Sequence, residues 1–182
     1  MNRRTKIAAV AFALLSGAGA AGAATASSPA PAEGVREAAA LTGTAKLFRP
    51  APADDDITFG FDAHLASEDR ADPQAATGTF RWSHYTRGTG GYAVAKVDCL
   101  VTGGKVAVVT GVVFDTDVKE LRKKRVGITV HDLGGQDRLG YSWVGRDTRA
   151  KVPPCLGSAP FETVRAGTGD FDVLPWEPPY RQ

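Results

Sequence analysis

Histidine, cysteine and methionine are almost absent: three, two and one in 182 residues. The three histidines, His64, His84 and His131, show no H-x-H, H-E-x-x-H or H-x-x-x-H spacing, so no local metal or general-base motif is present. There is no G-x-S-x-G either, and Ser67, Ser83, Ser142 and Ser158 sit on no recognisable nucleophile turn. No amphipathic stretch of helical length occurs, and no apolar run approaches the roughly 20 residues that a spanning helix needs. An integral membrane segment is therefore not expected.

The amino terminus carries the first positive signal. Met1 to Lys6 holds three cations and no acid, Ile7 to Leu15 is wholly apolar, and Ser16 to Ala26 is a tract of small residues with several A-x-A sites. That sequence of regions reads as a cleaved signal peptide over residues 1–24, with cleavage after Ala23, Ala24 or Ala26. The context of Arg3-Arg4 fits a twin-arginine signal poorly, so ordinary secretion is the expectation. Lys and Arg total 22 against 20 Asp and Glu; without Arg3, Arg4 and Lys6 there are 19 against 20. A near-neutral mature chain gives no reason to expect a nucleic acid or an acidic membrane surface as partner.

Residues 25–38 are rich in Pro, Ala and Ser and read as a flexible leader. Residues 39–182 then form one β-domain with an extended, Pro-rich tail from Pro175 onward. Roughly 155 mature residues can bury roughly 68–70% of the unfolded surface, enough for a core. In an exported chain Cys99 and Cys155 have one intramolecular pairing, which on the chain-entropy model is worth roughly 4 kcal/mol.

Within that domain, hydrophobicity alternates with period two. Ile57 to Leu65 puts Ile57, Phe59, Phe61, Ala63 and Leu65 on one face, and Phe80 and Trp82 share a face within Thr77 to Tyr85. Tyr92–Val101 and Lys105–Phe114 flank Thr102-Gly103-Gly104 as a hairpin, and Val126–Asp132 and Leu139–Val144 flank a second glycine turn. Thr44–Phe48, Phe161–Arg165 and Phe171–Leu174 are shorter strands, and a helical turn fits Val118–Leu121. The expected class is all-β: an antiparallel meander of about eight or nine strands, as a two-sheet sandwich or a small closed barrel.

The run Val97 to Val112, with Val130-His131-Asp132-Leu133-Gly134-Gly135-Gln136-Asp137 and Gly169-Asp170-Phe171-Asp172-Val173, resembles a group of secreted actinobacterial β-domain proteins, some of them labelled repetin. The resemblance spans Thr58 to Val173. It implies the fold and the export, and no activity.

Candidate chemistry is sparse, and no cofactor is expected. Asp132 and Asp137 bracket a glycine turn that offers carboxylates to a hard cation; as turn formers they would instead accept backbone N–H groups. Arg122, Lys123, Lys124 and Arg125 end a basic run between two strands, which suits cell-wall or other anionic polymer, or else simply faces water. Trp82, Trp143, Trp176, Tyr85, Tyr92, Tyr141 and Tyr180 could stack on sugar rings or pack the core. Asp54-Asp55-Asp56 reads as a solvated loop. The leading expectation is a non-enzymatic extracellular binding or surface component; the alternative is a small extracellular enzyme built from Asp62, His64, His84 and His131.

Overall fold

Alternating sequence becomes one curled antiparallel sheet of nine strands in the computed structural model, which describes residues 36–50, 54–142 and 151–177. The expected signal peptide, nearly all of the leader, Trp143, Val144 and Tyr180 lie outside the described residues. The strands are β1 (Glu37–Lys46), β2 (Asp55–Ala66), β3 (Thr77–Thr86), β4 (Thr89–Gly103), β5 (Val106–Thr116), β6 (Arg125–His131), β7 (Arg138–Ser142), β8 (Glu162–Thr163) and β9 (Asp170–Leu174). They run as a meander from β1 to β8, after which β9 returns to the free side of β1, giving the order 8-7-6-5-4-3-2-1-9. No helix among the described residues is long and apolar enough to cross a membrane.

Three boundaries differ from expectation. Strand β1 starts at Glu37, inside the expected leader, because Ala38, Ala39 and Ala40 carry no alternation to read, yet pairing with β2 buries Ala39 completely. The acidic triplet is not a solvated loop: β2 begins at Asp55, which is 8% exposed and accepts a hydrogen bond from Thr86 Oγ1 at 2.7 Å. Strand β4 also begins earlier than its apolar run, because Arg87 and Gly88 both take positive φ (54° and 76°) and form a two-residue hairpin of type I′.

The core lies on the concave side of the sheet. Phe59 and Phe61 of β2, Phe80 and Trp82 of β3 and Phe171 of β9 crowd there, with Phe61 and Phe171 edge to face at 5.1 Å. Small residues make room for them: Phe80 pairs with Ala95 and Trp82 with Ala93. At Gly111 a Cβ would lie 2.4 Å from the Lys96 carbonyl oxygen and 2.7 Å from the Phe80 ring. Large against small across facing strands is what dense packing demands.

The chain just past β1 touches the chain just past β8. Leu47, just beyond β1, bridges Val164, just beyond β8; Phe48 N–H donates to the Thr163 carbonyl at 2.7 Å and Arg165 N–H to the Lys46 carbonyl at 2.8 Å. Arg49 and Glu162 form an ion pair at the same junction.

A strap over residues 151–161 covers the convex side of β5 to β7. It is fixed by the Cys99–Cys155 disulfide, with Cα atoms 5.4 Å apart. Cys99 faces outward because the register shifts between Val97 and Cys99, a bulge that leaves Val97 and Leu100 in the core. Cys155 N–H donates to Thr110 Oγ1 at 3.1 Å and Ser158 N–H to Thr129 Oγ1 at 2.9 Å. Glycines let the strap lie flat: a Cβ on Gly140 would stand 2.1 Å from the Ala159 carbonyl oxygen, and one on Gly127 2.6 Å from that of Leu156. Gly140→Val is accordingly expected to cost about 1–3 kcal/mol by overpacking, read as a lowered thermal midpoint with the β-sheet circular dichroism signal retained.

Candidate functional site

The Asp132–Asp137 turn is tied into the fold rather than left open. Asp137 is fully buried and accepts from Leu133 N–H (2.7 Å) and Phe171 N–H (2.8 Å). Asp132 accepts from Lys105 Nζ (2.8 Å), Gly134 N–H (3.3 Å) and Val173 N–H (3.3 Å). Burial alone would raise the Asp132 carboxyl, but Lys105 and the two N–H groups outweigh it and hold it below its usual range. Burial pushes the Asp137 carboxyl up, and Asp170 beside it pushes the same way against its two N–H donors. Among the described residues no group of three or more His, Cys, Asp or Glu side chains is arranged to hold a metal ion.

The histidines occupy separate places. His64 lies between Glu37 (Nδ1 to Oε1, 2.5 Å) and Asp62 (Nε2 to Oδ1, 2.8 Å). His84 contacts Asp55 at 2.5 Å and pairs with Ile57, seven residues from His64 along β2, or roughly 23 Å at about 3.3 Å per residue. His131 pairs with Val106 and Arg138 at the far end of β6. Asp62 and His64 are thus the only members of the Asp62, His64, His84 and His131 set that touch.

The hydrogen bond to Asp62 and then that to Glu37, against partial burial, raise the His64 imidazole above its usual 6.5. A group raised on folding stabilises fully below its unfolded value and loses that contribution as pH rises through its folded one. Thermal midpoints of the wild type should therefore decline from pH 6 towards pH 9 relative to those of His64→Gln. Parallel profiles would reject the clamp.

The basic run divides in two. Arg125 is not part of an anion-binding tip: it starts β6, and its Nε binds Asp98 at 2.6 Å while Nη1 donates to the Val152 carbonyl at 3.3 Å. Arg122 and Lys123 are exposed in the β5–β6 connection, where Arg122 Nη1 donates to the Phe114 carbonyl at 3.1 Å. Lys119, Lys123 and Lys124 have no ion-pair partner among the described residues.

A second surface was missed in the sequence because it lies on the polar phase of strands whose apolar phase makes the core. Register aligns Thr44, Gly60, Arg81 and Val94 in one row across β1 to β4. Thr58, Ser83 and Tyr92 form the next row, about 6.6 Å away. Two adjoining hollows of about 280 and 470 Å³ open there and share Arg81 and Val94. The readable signal was Gly60: a glycine in the outward phase between Thr58 and Asp62 leaves a gap in a face otherwise carrying side chains.

Trp82 and Trp176 are not free stacking platforms. Trp82 is in the core, and Trp176 is anchored by its N–H to Thr102 Oγ1 (2.6 Å) and its Nε1 to the Arg70 carbonyl (2.8 Å), so the Pro-rich segment lies along the domain. Comparison of the chain with protein-family models, with curated proteins and with solved structures finds no match in any of the three.

Proposed function

We infer that this is an exported, non-enzymatic binding domain that holds anionic polymer of the cell surface through the β5–β6 connection. The observation that carries the reading is the group of cations there, Lys119, Lys123 and Lys124, which have no ion-pair partner among the described residues, while Arg125 is consumed internally. Unpaired surface cations attract a polyanion over about one Debye length and release it when salt shortens that length. The signal-like amino terminus and the disulfide support export into an oxidising compartment. The likeness of Val97 to Val112 to secreted actinobacterial β-domains points the same way. In this reading the sheet closes through the Leu47–Val164 bridge into a small barrel whose filled interior serves stability and whose exterior serves binding.

Retention on isolated bacterial wall carrying anionic polymer tests it. The wild type should be retained at 50 mM salt and released at 1 M. The variant with Lys119, Arg122, Lys123 and Lys124 all changed to Ser should lose at least tenfold in retention at low salt. Equal retention of the two proteins would overturn the proposal.

A further inference from the structure

We propose that the outer face of β2, β3 and β4 carries a binding site for a sugar acid, with the Arg81 guanidinium receiving its carboxylate. Arg81 is exposed at the centre of the two hollows and has no hydrogen-bond or ion-pair partner among the described residues. The side chain nevertheless lies back over the sheet: a Cβ on Gly60 would be 3.1 Å from Arg81 Nε and 2.9 Å from Thr44 Oγ1. The bare glycine is thus the floor on which the guanidinium rests.

The acids nearby are otherwise engaged. Asp62 is held by His64, Asp56 by Lys46 and the Thr58 hydroxyl, and Asp115 accepts from the Tyr92 hydroxyl at 3.3 Å. Their negative charge around the rim disfavours a dianion such as phosphate, while one unpaired guanidinium suits a monoanion. Its planar fork matches the two oxygens of a carboxylate.

The surroundings suit a polyhydroxylated ring. Thr44, Thr79 and Ser83 offer hydroxyls with no partner among the described residues, on both sides of Arg81. Val94 is the apolar step between the hollows, and Tyr92, 38% exposed, presents an aromatic face at one end. The combined space is in the range that small-ligand sites occupy, roughly 300–1,000 Å³. This surface is distinct from the β5–β6 connection, so it stands or falls apart from the polymer reading.

The test is a proton–nitrogen NMR titration of the chain with methyl glucuronoside, against methyl glucoside, acetate and inorganic phosphate. Saturable shifts at the amides of Gly60, Arg81, Ser83 and Tyr92 are expected with the glucuronoside, and at least tenfold weaker binding of the other three. Arg81→Gln should weaken glucuronoside binding at least tenfold, with Arg81→Lys in between, and Gly60→Val should block it while keeping the charge. The four-Ser variant of the β5–β6 connection should titrate like the wild type. Equal binding of the neutral glycoside, of acetate or of phosphate, or an unaffected Arg81→Gln, would overturn the proposal.

Discussion

Replacing Cys99 and Cys155 together by Ala is expected to lower stability by about 4 kcal/mol, which for a domain of this size is on the order of 10 °C in thermal midpoint. The bridge joins positions 56 apart in sequence, so its loss returns a long loop to the unfolded ensemble. It also loosens the strap, which is otherwise tied to β5 and β6 by the hydrogen bonds to Thr110 and Thr129 and by that from Arg125 to the Val152 carbonyl. Reductant should reproduce the shift in the wild type and leave the variant unchanged. The sheet itself should persist, because none of its ladders passes through the strap. A change of less than 2 °C would show that the strap is held without its covalent tie.

Asp137→Ala should cost about 3 kcal/mol, since it strands the N–H groups of Leu133 and Phe171 without acceptors. Its dependence on pH gives the sharper check. Folding raises the Asp137 carboxyl from its ordinary 3.8, so its contribution is fully present below that value and shrinks as pH rises through the folded one. The difference between wild type and Asp137→Ala should therefore narrow with rising pH. Asp132 is lowered on folding, so its contribution exists above 3.8 and disappears as pH falls through the folded value; the Asp132→Ala difference should widen with rising pH. Denaturant melts from pH 3 to 7 would read both slopes, and slopes of the same sign would disprove this account of the turn.

How far the molecule could be read in advance follows from which forces leave a local trace. Strands β2, β3, β5 and β6 were legible because one face of each is core, and burial writes itself as alternation. The start of β1 was not, since three successive alanines fit either face and only pairing with β2 and β9 decides between them. Asp55 looked like solvent-facing charge because the groups that hold it, Thr86 and His84, arrive from the far end of β3. The turn carboxylates were legible as shapers of their own loop, through Leu133 and Gly134, but their grip on Phe171 and Val173 spans 34 and 41 positions. Arg125 was misplaced for the same reason, its partner Asp98 lying two strands away. The Arg81 face left the faintest mark, because a hollow on the outside of a sheet is made by an absent side chain.

The carboxylates of Asp137 and Asp132 take up the N–H groups of Phe171 and Val173 on the side of β9 that faces away from β1. A stranger's polypeptide seeking to extend the sheet there would find those donors already spent on charged acceptors it cannot displace. Such an edge resists templated stacking and fibril growth, the hazard of any unpaired β strand.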